Sequence, residues 1–126
     1  LYDTLFAAFE AMSGIDIQKR HQAEFYVGSS IQFRLSALTT SDIPAFLERC
    51  AKRGVELKWF GADQPAAFTS RYDSWRYIKN LPDLPATKAA LEKTVDMRIP
   101  LTFDTDDCKV IAEIIADEVA PFITGA

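Results

Sequence analysis

The sequence predicts an α+β domain, a small and largely antiparallel sheet with helices packed on it. Three observations predict it. Apolar residues recur at helical spacing at both ends of the chain, residues 31–35 and 55–60 alternate between two sides, and the elements run helix, strands, helix, strand, loop, helix, strand, helix. At 126 residues the chain suits a single domain, long enough to close a core without metal or disulfide staples.

Leu1, Leu5, Phe6, Phe9 and Met12 share one helical face, and Ser13-Gly14 supplies a stop. Residues 15–21 read as extended or irregular. Residues 24–27 read as the opening of a strand that Gly28-Ser29-Ser30 bends; that tripeptide lacks both the spacing and the following helix of a phosphate loop. Ile31, Phe33 and Leu35 then face a core, leaving Gln32 and Arg34 on the other side.

Thr39-Thr40-Ser41-Asp42 offers capping oxygens to a second helix, Pro44 suits its first turn, and Ile43, Phe46, Leu47, Cys50 and Ala51 form its apolar stripe. Gly54 ends it. In the strand that follows, Val55, Leu57 and Trp59 share one side and Glu56, Lys58 and Phe60 the other. From Gly61 to Asn80 the periodicity is poor, and a loop of that length is usually functional or held down by another surface.

Leu81-Pro82-Asp83-Leu84-Pro85 punctuates, and residues 86–94 read as a short helix. Met97-Arg98-Ile99-Pro100-Leu101 reads as an edge strand, because Pro100 disfavours a central position. Asp104 or Thr105 caps the last helix, whose expected buried face is Val110, Ile111, Ile114, Ile115, Val119 and Phe122.

The net charge of −4 argues against a general affinity for nucleic acid. Residues 48–80 nevertheless carry a local balance of +3, which leaves −7 for the remainder and lets the central loop receive a phosphate or carboxylate. A solvated surface accounts for most such imbalances and is the stronger reading. No apolar run is long enough to span a bilayer and no signal peptide precedes the first helix, so a cytoplasmic protein is expected. Leu1 in place of Met hints at a piece of something longer.

No nucleophile and base announce themselves. His21 stands alone in a polar run and reads as a surface residue, and the two cysteines, Cys50 and Cys108, fall at apolar helix positions as buried free thiols. No metal site is expected: Asp104, Asp106 and Asp107 suit a helix start better than a Ca²⁺ or Mg²⁺ loop. The interleaved aromatics and cations between Lys58 and Lys79 could stack bases, but the acidic whole speaks against it. Lys58, Ser70, Arg71 and Tyr72 are the best polar candidates for contacting a small anionic ligand.

Arg53-Gly54-Val55-Glu56-Leu57-Lys58-Trp59-Phe60 with the aromatic loop after it, Leu84-Pro85 with a short helix, Met97-Arg98-Ile99-Pro100-Leu101, and Thr105-Asp106-Asp107 at the head of the final helix together resemble the C-terminal, small domain of DegT/StrS-type sugar aminotransferases. The resemblance covers most of the chain. It implies the small domain of a fold-type-I enzyme that uses pyridoxal 5'-phosphate and moves an amino group from Glu or Gln to a keto-sugar, usually nucleotide-linked. It further implies a C-terminal fragment in which residues 1–14 link to an upstream large domain and residues 15–126 form the small domain. The Schiff-base lysine would lie upstream, so no catalytic residue is expected here.

By the same resemblance the full-length protein would be a homodimer, with this domain closing one wall of the cleft. Lys58 would contact a carboxylate or phosphate, Arg71 would make a bidentate contact, and Trp59, Ser70, Tyr72 and Trp75 would complete the substrate-binding set. Many members carry histidines in the loop after the strand; here Trp59, Phe60, Arg71 and Tyr72 stand in that region. The alternative is a self-sufficient ligand-binding or regulatory module of ferredoxin-like layout, dimerising through an edge strand. A scaffolding domain with a sticky aromatic loop is a third reading.

Overall fold

A computed structural model describes residues 1–64, 71–74 and 78–124, apart from the side chains of Tyr72 and Thr124. Helix α1 (Tyr2–Glu10) leads to strand β1 (Ser30–Arg34), helix α2 (Ile43–Lys52), the two-residue strand β2 (Lys58–Trp59), a 3₁₀ turn (Tyr72–Ser74), helix α3 (Pro85–Leu91), strand β3 (Thr94–Arg98) and helix α4 (Thr105–Thr124). The three strands form one antiparallel sheet in the order β1-β3-β2. The molecule is the small α+β layer that the pattern of elements predicts.

One face of the sheet is apolar. Ile31 and Phe33 of β1 and Val95 and Met97 of β3 are buried against Leu5 and Phe9 of α1, Phe46 and Cys50 of α2, and Cys108, Ile115 and Val119 of α4. The Phe9 and Phe33 rings lie 4.7 Å apart, which seats α1 directly on β1. Gly14 turns the chain out of α1 at φ +87°, and a Cβ there would stand 2.8 Å from Val119 Cγ1 on α4. Only glycine lets the turn pass so close to that helix.

Ion pairs fasten α2 to α4 at the rim. Arg49 Nε donates to Glu118 Oε2 at 2.8 Å, while the Arg53 guanidinium reaches both Asp117 and Glu118 at 3.0 and 3.2 Å. The start of α4 is a reciprocal cap. Asp104 Oδ1 accepts the Asp107 N–H at 2.8 Å and Asp107 Oδ2 accepts the Asp104 N–H at 2.9 Å, so both carboxylates satisfy helix-end donors. Among the described residues no group of side chains is arranged to hold a metal ion.

Several sequence expectations need correction. Strand β3 is the central strand, because it ends at Arg98 and leaves Pro100 beyond the ladder, where a missing N–H costs nothing. Residues 24–27 form no strand, and Phe25 and Val27 are 95% and 93% exposed. Of the expected 55–60 strand, Lys58 and Trp59 form the ladder with β3, and the Phe60 N–H adds one bond to the Thr94 carbonyl. Helix α3 stops at Leu91, since Thr94 already belongs to β3. Val110 is 54% exposed and Ala51 is exposed; Cys108 and Ala112 join the inner face of α4, and that of α2 narrows to the expected Ile43, Phe46 and Cys50 with Leu47 half-buried.

Candidate functional site

The face of the sheet away from the helices is polar. Alternation along the strands sends Ser30, Gln32 and Arg34 of β1, Lys58 of β2, and Asp96 and Arg98 of β3 to this side. Register aligns Gln32, Asp96 and Lys58 in one row across all three strands. Gln32 Nε2 donates to Asp96 Oδ1 at 3.4 Å, and Lys58 Nζ lies 3.9 Å from Asp96 Oδ2 and 5.9 Å from the centre of the Phe60 ring. Lys58 is thereby held upright, its charge only partly offset by a long ion pair.

A groove of about 480 Å³ runs beside this row, lined by Ser29, Ser30, Glu56, Leu57, Lys58, Asp96 and Arg98. Its size falls in the range of small-molecule sites, roughly 300–1,000 Å³. Two cations, two carboxylates and two hydroxyls therefore line one opening. Of these, Lys58 is the residue that sequence reasoning had singled out. Arg98, Ser30 and Asp96 join it only through strand register, a long-range fact; the local signal was the alternation of polar Asp96 and Arg98 between apolar Val95, Met97 and Ile99.

Trp59 points the opposite way. Its register partner is the buried Val95, and its indole Nε1 donates to the Glu92 carbonyl at 2.8 Å. This clasp brings the residues after β2 hard against the turn after α3. At Gly61 a Cβ would lie 2.4 Å from the Glu92 carbonyl oxygen, so the chain can pass there only without a side chain.

Beyond Gly61 stands Arg71. Its Nη1 donates to the Ala62 and Asp63 carbonyls at 3.1 and 2.9 Å, its Nε donates to Asp73 Oδ1 at 2.7 Å, and Nη2 closes a fork on the same carboxylate. These bonds hold the Asp73 carboxyl below the usual carboxylate range. Arg71 thus ties the start of the loop to its 3₁₀ turn, beside a small cavity of about 90 Å³ that also meets Phe60, Lys88 and Leu91. Ser70 and Trp75, with Phe68, Arg76 and Tyr77, lie outside the described residues, as does the Tyr72 side chain.

His21 is exposed, with its Nδ1 accepting the Ala23 N–H at 3.2 Å, and takes no part in the groove. Cys50 and Cys108 are buried free thiols. Every lysine of the chain is exposed or half-buried, whereas a lysine that forms a Schiff base is usually activated by desolvation or a neighbouring cation. These residues do not make a pyridoxal-phosphate site by themselves. Among the described residues no helix is long and apolar enough to cross a membrane.

No family model and no curated protein matches the chain. Solved structures do. The crystal structure of 3-amino-5-hydroxybenzoic acid (AHBA) synthase matches with a TM-score of 0.68 at 24% identity, over 94% of this chain and 32% of that one. An aminotransferase, TlmJ from Streptoalloteichus hindustanus, matches with a TM-score of 0.69 at 14% identity, over 98% of this chain and 31% of that one. The chain therefore has the fold of a domain of these enzymes, in line with its resemblance to the DegT/StrS-type small domain, and it spans about a third of their length.

Proposed function

We propose that this chain is the small domain of a pyridoxal 5'-phosphate-dependent aminotransferase, which transfers an amino group from Glu or Gln to a keto-sugar, typically nucleotide-linked. The observation that carries the reading is the fold shared over nearly the whole chain with two enzymes, one of them the aminotransferase TlmJ. The cofactor, bound mainly by a large domain upstream, supplies the electron sink for the transfer. This chain contributes substrate positioning and one wall of the cleft.

In that role Lys58 offers an ammonium to a carboxylate or phosphate from the polar face of the sheet. Arg71 acts at the loop that follows, Trp59 props the wall from the packed side through its bond to the Glu92 carbonyl, and Ser70, Tyr72 and Trp75 complete it. The full-length protein is a homodimer in this reading, working in the cytoplasm. Lys58 at the groove, its charge only partly offset by Asp96, favours an anionic substrate.

The test begins with the natural polypeptide that carries residues 1–126. Purified with pyridoxal 5'-phosphate, it should show the absorbance of a lysine-bound cofactor and aminate a nucleotide-linked keto-sugar with Glu or Gln as donor. A natural polypeptide with no cofactor-binding lysine domain would retire the reading.

A further inference from the structure

We propose that Arg98 and Ser30 hold an oxyanion on the open face of the sheet, and that the groove they border takes a phosphate ester bearing free hydroxyls, one of which is received by Glu56. The inference deepens the reading above and rests on it for the role of Lys58, which borders the same groove.

The ladder itself supplies the first argument. Arg34 exchanges both of its main-chain groups with Asp16, at 2.8 and 2.9 Å, so these groups point away from β3. Alternation then turns the main-chain groups of Ser30 away as well, and makes Ser30 and Arg98 a pair without mutual hydrogen bonds, the kind whose side chains stand closest. The same alternation aims the Arg98 N–H toward β2. There the partner strand has already ended: the register that sets Lys58 against Asp96 would set Glu56 against Arg98, but the two chains have parted. Among the described residues neither the Arg98 N–H nor its guanidinium has a hydrogen-bond or ion-pair partner.

The second argument is chemical. A guanidinium fork and a hydroxyl are donors that phosphate oxygens take, and Arg98 and Ser30 bring them to the same side of the sheet. Lys58 adds charge from the neighbouring strand, and Gln32 and Lys58 already engage Asp96. Glu56 remains on the lip as an acceptor with no ion pair among the described residues, and would repel a bare anion. A ligand that brings hydroxyl donors along with its phosphate satisfies both lips of the groove.

The experiment titrates the 126-residue chain with glucose 6-phosphate, inorganic phosphate and glucose, following backbone amide chemical shifts. Saturable binding of glucose 6-phosphate is expected, centred on the Ser29, Ser30 and Arg98 amides, with inorganic phosphate weaker and glucose inert. Arg98→Ala should weaken glucose 6-phosphate by about tenfold or more, and Glu56→Gln should weaken it while sparing inorganic phosphate. Both side chains are exposed, and unchanged melting of the variants confirms that the fold persists. Absence of saturable binding, or an Arg98→Ala variant that binds as well as the parent, overturns the proposal. Equal affinity for inorganic phosphate overturns the Glu56 arm. Transamination is not needed for this readout, so binding without amination sinks only the aminotransferase reading, and amination with an unaltered Arg98→Ala KM sinks only this one.

Discussion

Arg71 spends its guanidinium on Asp73 and on two carbonyls of the preceding loop, so it can serve a substrate only by holding that loop in place or by exchanging a partner. Either way, Arg71→Ala in the full-length enzyme should lower kcat/KM by at least about tenfold, roughly 1.4 kcal/mol of transition-state stabilisation. Unchanged kinetics would remove it from the site. The two thiols invite a different measurement. Burial, reinforced by Glu118, pushes the Cys50 thiol up to about 11 from an ordinary 9.0. Because the folded state keeps its proton longer than the unfolded state, Cys50 leaves stability flat below pH 9 and erodes it as pH rises from there toward about 11. Chemical denaturation across that interval should show the loss, and a Cys50→Ala control should flatten the thiol's share of it.

At the scale of elements, what could be read was what is local. The faces of α1 and α2 and the alternation of β1 follow from spacing within a few residues, and the burial of Leu5, Phe9, Phe46 and Phe33 bears them out. The start of α4 was legible in part for the same reason: Asp104 was one of two cap candidates, and the return bond from Asp107, read only as suiting the dipole, is what the structure adds. Asp104→Ala should cost about 0.5–2 kcal/mol, seen as a lower melting temperature, because two orphan donors lose or loosen their partner. A proline could not say by itself whether it sat inside a ladder or just past it, so β3 read as an edge strand. The polar groove was invisible for a related reason: its residues come from three stretches of chain, and only strand register assembles them.

For the molecule as a whole, α4 is the keystone of the buried layer, and its inner face is narrower than its composition suggests. Ile115 is fully enclosed while Val110 stands 54% in solvent, although both looked equally apolar in sequence. Ile115→Ala should therefore destabilise the domain by about 2–5 kcal/mol, and Val110→Ala should cost under about 1 kcal/mol. Paired denaturant melts that gave equal losses would mean the face is misassigned. The site candidates divide along the same boundary: Lys58 stands on the open side of the sheet and Trp59 on the packed side, a distinction that adjacency in sequence guarantees but cannot orient.

The middle strand of the sheet is the last of the three to be synthesised. Gln32 and Asp96, which meet across β1 and β3, are 64 positions apart. Until β3 emerges from the ribosome, β2 has no strand to pair with and β1 has only its single bridge to Asp16. Closing so long a loop before any pairing reward arrives makes for slow folding. A nascent chain halted before Thr94 should accordingly be a ready client for chaperones, and one released beyond α4 should not.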